Sequence, residues 1–415
     1  MEPLRNWAGN VEFAAAAFHE PTSLEALQRL VAGSGRVRAL GTGHSFNRIA
    51  DTEGDLVSLR HLPAVLDIDT GARTVRVSGA TRYGELGAAL QASGLALPNT
   101  GSLPHISVAG ACATGTHGSG RSNPILGGSV RGISLVQGDG ALVTVDRDSA
   151  GEDFEGYVLS LGRLGLVTEL VLDVVPTFDI AQTVLTGVPD ARVVGHLEEI
   201  LTSAYSVSVF TALVPDRNRV WLKERAGGPS RETYWGGRPA DTPQHPIEGI
   251  DAGFATAQLG VAGPWNERLP HFRLEFQPSA GEELQSEYLL PLPNAAAAWS
   301  ALLAIRDVIV EPLLTCEIRC VAGDSMWLSP TAGQDCVAFH FTWVQDMGRV
   351  LPVVQAMESA LAPHDMRPHW GKVFATPDAE LGSRYPRLAD FRRLVERHDP
   401  GGKLGNRLVD GWLGG

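Results

Sequence analysis

Two short β-like runs carry the chain's most reactive side chains. In Cys316-Glu-Ile-Arg-Cys-Val321 the two-residue period of a strand puts Glu317 and Arg319 on one face and Cys316, Ile318 and Cys320 on the other. In Cys336-Val-Ala-Phe-His-Phe-Thr-Trp343 it groups Ala338, His340 and Thr342 and leaves Val337, Phe339, Phe341 and Trp343 to pack. A charged pair and a histidine above an apolar layer is the layout of a pocket wall, one that can hold hydroxyls by charge-assisted hydrogen bonds and accept a proton. The same pattern also fits a solvated sheet face with an ordinary Glu–Arg pair, and the residues alone leave both readings open.

A second kind of chemistry sits earlier in the chain. Gly41-Thr-Gly-His-Ser-Phe46 follows a strand-like run, and its glycines permit the positive φ and close approach with which backbone N–H groups cradle a pyrophosphate. It misses the NAD fingerprint: Phe46 stands at the third glycine position, and Asn47 to Asp51 opens no helix. Gly110-Ala-Cys-Ala-Thr-Gly-Thr-His-Gly-Ser-Gly120 is another run of small residues and hydroxyls, suited to wrapping a flat, phosphorylated ligand. Two such loops in one half of the chain point to an extended dinucleotide.

The elements that must position these residues come from a chain of 415 residues, long enough for two or three domains. Its net charge of −13 gives it no pull on nucleic acid or anionic lipid. Four cysteines without a CxxC pair make a disulfide scaffold unexpected, and with no HExxH motif a metal site is disfavoured, although His340, His364 and His369 lie near Cys316, Cys320 and Cys336. The N-terminus lacks a signal-like apolar stretch, and Ala295 to Leu314 reads as one amphipathic helix rather than a membrane span, so a soluble cytoplasmic protein is expected. The pattern predicts a helix over Ser23 to Ala32 and another over Tyr83 to Ala92, ended by Gly94. Strands are predicted over Arg36 to Leu40, Leu56 to Leu59, Val65 to Ile68, Thr74 to Val77, Val130 to Gln137, Ala141 to Val145 and Gly165 to Val174. Residues 98 to 120 are expected to hold no regular element, and Pro176 marks a boundary. Beyond it, Ser206 to Leu213, Arg219 to Lys223, His271 to Phe276, Cys316 to Val321 and Val337 to Val344 read as the strands of a large sheet, while the Gly/Pro-rich 225 to 268 reads as a lid.

The segments GTGHSFN from Gly41, LPNTGSLPHISVAGACATGTHGSG from Leu97, RPHWGKVF from Arg367 and DPGGKLGNR from Asp399 resemble the FAD-linked oxidases of the vanillyl-alcohol-oxidase type, most of all their alditol-oxidising branch. The likeness runs over essentially the whole chain. It implies an α+β, two-domain FAD-binding fold: residues 1–176 and a returning segment 375–415 bind FAD, and 177–374 form a cap domain built on a large antiparallel sheet. By the same likeness FAD is held by Gly41, Thr42, Gly43, His44, Ser45, Phe46, Ser102, Ser107, Gly110, Thr114, Gly115, Thr116, His117, Gly118, Ser119, Val167 and His369. His44 would carry it covalently through the 8α-methyl group; the alternative is a loop histidine bonding a phosphate. Ser102, Glu317, Arg319, Thr342 and Lys372 would bind a polyol such as xylitol or sorbitol, with Glu317, Arg319, His340 and Lys372 catalytic.

The implied reaction oxidises a terminal primary alcohol to the aldose and reduces oxygen to hydrogen peroxide, in a monomer without nucleic-acid or membrane partners. His340 is the first choice of base, with the Glu317–Arg319 pair left open as the acceptor; Arg319 and Lys372 would stabilise alkoxide and reduced flavin. Gly101 leaves room for oxygen. The alternative substrate is a sugar 1,4-lactone, as in gulonolactone oxidase.

Overall fold

The structure, a computed structural model, describes residues 3–228, 233–275 and 282–414. Its N-terminal half builds two larger sheets and a two-stranded pairing of Leu95–Ala96 with Val175–Pro176. A parallel one orders Ala17–His19, Asp55–Val57 and Val37–Ala39; an antiparallel one orders Leu66–Asp69, Thr74–Ser78, Leu166–Asp173, Val130–Val136 and Leu142–Asp146. Strict alternation drives the latter: Leu166, Thr168, Leu170 and Leu172 are buried and the residues between them are not. The first predicted helix is Leu24–Gly33, with Ser23 as its cap, accepting from the Ala26 N–H at 3.1 Å; the second is Tyr83–Ala92. The turn at Gly140 needs glycine twice over, for φ is +87° and a Cβ would lie 2.6 Å from the Gln28 carbonyl.

Three expectations need correction. The second glycine-rich loop contains a helix, Val108–Thr114, closed by Gly115 in the left-handed region; its alanines favour it, but Gly110 and the glycines that follow mask the signal in the sequence. His271 to Phe276 forms no strand over its described part, residues 271–275, because its backbone is spent on Ser102 and on a bridge from Phe272 to Ala255; Phe276 lies outside the described residues. Ala295 to Leu314 is not one helix. It divides into Ala295–Ala304 and Arg306–Ile309, and from Leu313 the chain is already strand, where β-branched and apolar residues find partners.

The second half is an antiparallel sheet whose main strands are β1 (Asp179–Val188), β2 (Ser206–Thr211), β3 (Asn218–Arg225), β4 (Glu283–Pro291), β5 (Leu313–Val321) and β6 (Cys336–Val344). Their order is β1-β3-β2-β5-β6-β4. One face packs Ile318, Phe339, Phe341 and Trp343 with Val193, Leu197, Trp299 and Val354 from the helices Asp190–Leu201, Ala295–Ala304 and Met347–Leu361. The other face looks toward the N-terminal half. The segment read as a lid is tied down: Ala262–Pro264 pairs with β1, and Gln244 and Gln258 exchange hydrogen bonds of 2.9 and 2.7 Å. The C-terminal segment returns to the first half, where Phe391, Leu394 and Trp412 join the core of Val75, Leu86 and Phe154, and Arg163 pairs with Asp399 at 3.0 Å. Among the described residues no helix is long and apolar enough to cross a membrane.

Candidate active site

Strand register decides which side chains meet. On β4, β6 and β5, Glu287 stands opposite His340 and His340 opposite Glu317; the next row is Gln285, Thr342 and Thr315. Glu317 and Arg319 therefore share the open face while Cys316, Ile318 and Cys320 lie in the core, as the two-residue period predicts.

Glu287 is the hub of the site. Its carboxylate accepts from Arg319 Nη2 at 2.5 Å and Lys372 Nζ at 2.7 Å and lies 3.2 Å from His117 Nε2. Burial opposes its ionisation, but Lys372, His117 and Arg319 outweigh burial and hold it well below the usual carboxylate range. Glu317 is held low in the same way: Arg319, His271 and His340 overcome burial. Burial lowers the Lys372 ammonium, which Glu287 partly restores.

His340 is pinned from both sides. Its Nε2 lies 3.1 Å from Gln285 Oε1, and Gln285 is oriented by donating its amide N–H to Glu283 Oε1 at 2.7 Å. Its Nδ1 lies 3.3 Å from Glu317 Oε2, so the neutral ring stands between two acceptors and keeps one nitrogen unprotonated. Burial first and Lys372 second pull the ring down to about 4, so it is an unprotonated base at neutral pH. A proton taken by the ring leaves one N–H facing Glu317 and the other facing Gln285.

Behind Glu317 runs a buried chain. Its Oε1 accepts from Ser208 Oγ at 2.7 Å and from His271 Nε2 at 2.8 Å; the other nitrogen of His271 lies 3.1 Å from Lys223 Nζ, which also donates to the Leu269 and Pro270 carbonyls. The ammonium occupies Nδ1, so the ring's N–H must be on Nε2, pointing at Glu317. Burial pulls Lys223 down to about 7.

The glycine loops line the same continuous cavity. Gly41 and Gly79 allow close backbone approach: a Cβ on Gly41 would sit 2.6 Å from Ser107 Oγ and one on Gly79 2.6 Å from the Val167 carbonyl. His44 stacks on Trp7 at 5.0 Å, its Nδ1 is buried without a hydrogen-bond partner, and burial lowers it to about 4. A neutral, unpartnered ring nitrogen on a cavity-lining residue beside close-approach loops fits a flavin dinucleotide.

Of the predicted residues, Gly41 to Phe46, Ser102, Ser107, Gly110, Thr114, Thr116, His117, Val167, Glu317, Arg319, His340, Thr342, His369 and Lys372 line this cavity. Gly115, Gly118 and Ser119 lie off its wall: Gly115 ends a helix, a Cβ on Gly118 would press within 2.2 Å of the Thr100 carbonyl, and Ser119 donates to the Val207 carbonyl. Sequence reasoning missed Glu287, Gln285, His271 and Lys223. For the first two a signal existed, since Glu283, Gln285 and Glu287 alternate with the buried Leu284 and Ser286; His271 and Lys223 carry none, because loop folding alone joins them.

A cavity walled by glycine-rich loops and floored by a large antiparallel sheet fits an FAD-linked oxidase of the vanillyl-alcohol-oxidase type. The family profile described as FAD binding domain matches residues 15–146, and that of D-arabinono-1,4-lactone oxidase matches 282–412. Cholesterol oxidase from B. sterolicum has the same fold, with a TM-score of 0.80 at 14% identity over 99% of this chain and 96% of its own. A carbohydrate oxidase from Microdochium nivale reaches 0.75 at 13% over 96% and 92%. An alditol oxidase from a Streptomyces strain is 50% identical over 99% of both chains, whereas L-gulono-1,4-lactone dehydrogenase from Mycobacterium tuberculosis is 27% identical over 96% of both. The chain belongs to the alditol oxidase family of flavin-dependent oxidoreductases acting on CH–OH donors.

Proposed function

We propose that the protein oxidises the terminal primary alcohol of a polyol such as xylitol or sorbitol to the aldose and reduces oxygen to hydrogen peroxide, with FAD attached covalently through His44. The observation that carries this reading is the row Glu287–His340–Glu317 with Arg319 and Lys372 beside it. An uncharged, pliable chain of hydroxyls must be held by many directional donors and acceptors, and this floor supplies both. The 50% identical relative, an alditol oxidase, supports the same substrate class.

Bound FAD supplies the hydride acceptor. Arg319 and Lys372 hold the reacting hydroxyl and favour its alkoxide; His340 takes the proton; Glu317 and Gln285 then accept the two N–H groups of the imidazolium. Thr342 and Ser102 bond hydroxyls further along. His44, neutral and unpartnered at Nδ1, is the ring for the 8α link. The lack of a side chain at Gly101, next to the cavity-lining Ser102, would leave room for oxygen at a bound flavin.

The test is the visible spectrum of the purified protein without air, before and after excess xylitol, then after oxygen is admitted. Bleaching followed by recovery is expected. A band that dithionite bleaches but xylitol does not would remove alditols. It would turn attention to sugar 1,4-lactones, the reading favoured by the match over 282–412.

A further inference from the structure

The row that holds the chemistry does not stop at Glu317. Across neighbouring strands it continues to Phe210 on β2 and Arg219 on β3, so Glu287, His340, Glu317, Phe210 and Arg219 lie side by side. Arg319, Lys372 and His117 gather at the Glu287 end, which is where the glycine loops also lie. The other end of the row is Arg219. There the guanidinium is buried and turned upward, and its two terminal nitrogens donate to the carbonyls of consecutive residues, His245 at 2.5 Å and Pro246 at 2.7 Å. The Pro246 carbonyl also accepts from Thr315 Oγ1, on the floor, at 3.1 Å. One loop carbonyl is therefore tied to β3 and to β5 at once.

That staple fixes a short segment across the trough. His245 packs against Phe272 with ring centroids 5.6 Å apart and accepts from the Ile247 N–H at 3.0 Å, and the half-buried Ile247 lines the cavity. Phe272 is itself held near Ser102, whose carbonyl accepts from His271 N at 3.1 Å. Pro246, Ile247 and Phe272 give this end apolar side chains, whereas Arg319, Lys372 and Glu287 charge the other.

We propose that the His245–Ile247 segment is the end wall of the substrate trough and sets the length of polyol accepted, with Arg219 as the positioning residue and Ile247 as the side chain that meets the far end of the chain. This rests on the polyol reading above. Strands lie about 4.8 Å apart, so Glu287 and Phe210, three spacings distant, are separated by about 14 Å of backbone. After side chains take their share at each end, that span suits an extended polyol of five or six carbons. A longer chain meets Ile247 and Pro246, and a closed pocket penalises one group too many by roughly 10- to 200-fold.

The experiment compares kcat/KM for glycerol, erythritol, xylitol, sorbitol and a seven-carbon heptitol in wild type, Ile247→Ala, Ile247→Trp and Arg219→Met, with the flavin band and thermal unfolding as fold controls. Ile247→Ala should raise the heptitol-to-xylitol ratio about tenfold, and Ile247→Trp should lower the sorbitol-to-erythritol ratio by a similar factor. Arg219→Met should move the ratio as Ile247→Ala does, because the segment loses both donors. A merely structural role would scale every substrate together. Ratios within about twofold of wild type in both Ile247 variants would overturn the wall, and these two decide the matter even if Arg219→Met fails to fold. Wild-type protein whose flavin no polyol bleaches is a separate result, and it removes the polyol reading itself.

Discussion

Replacing Glu287 by Gln keeps the shape of the hub and removes its charge. In wild type the carboxylate contacts Arg319 at 2.5 Å and Lys372 at 2.7 Å, all three being largely shielded from water. A unit pair at such range is worth about 4 kcal/mol at the effective dielectric of a protein, and the variant strands two cations against Glu317 alone. Breaking a buried pair from one side costs about 3–5 kcal/mol, so guanidinium unfolding of the holoprotein at pH 7 should show a loss of that size. The loss should depend on pH in one direction. Because the folded carboxyl ionises well below the ordinary value of 4.5, its stabilisation is complete above that value and disappears as the pH falls through the folded one. Flavin reduction by xylitol, followed by anaerobic stopped flow, should slow by about a hundredfold as Arg319 and Lys372 lose their common anchor. A variant as stable as wild type at pH 7, reduced at a near-native rate, would refute the role of Glu287 as the hub.

Three further outcomes follow from the geometry. With FAD joined to His44 as proposed, wild type should keep its flavin through acid precipitation and His44→Ala should release it into the supernatant. His340→Ala should lower the rate of flavin reduction by about 10²- to 10⁴-fold, and in wild type kcat/KM should rise with pH through about 4, the value to which burial brings this ring, rather than through the usual histidine range. Lys223 ionises in the folded protein near 7, below its unfolded value, so between those values the unfolded chain binds more protons and stability rises with pH, by up to about 1.4 kcal/mol per unit. Unfolding measured at pH 7 and pH 9 should show that rise in wild type and lack it in Lys223→Met.

What the sequence by itself determined rests on local periodicity and on long, specific motifs. The two-residue period places Glu317 and Arg319 opposite Cys316, Ile318 and Cys320, and it groups His340 with Thr342, because a strand offers only two faces. The glycine runs around Gly41 and Gly110 identify a dinucleotide site because close backbone approach excludes larger residues. The tertiary structure decided what no local pattern encodes. Register between strands distant in sequence brings Glu287 beside His340 and makes it the anchor of Arg319 and Lys372; a slip of one residue would have turned it into the core. His271 reaches Glu317 across 46 residues and Arg219 reaches Pro246 across 27, each through a loop whose path is set by burying polar groups that must find partners. The same demand explains the misread stretch at His271, which spends its backbone on Ser102 and on a bridge to Ala255 instead of extending as a strand; it also ties the 225–268 segment down at Gln244, at Pro246 and along Ala262–Pro264. Periodicity reports which face a residue occupies, and only the fold reports what stands across from it.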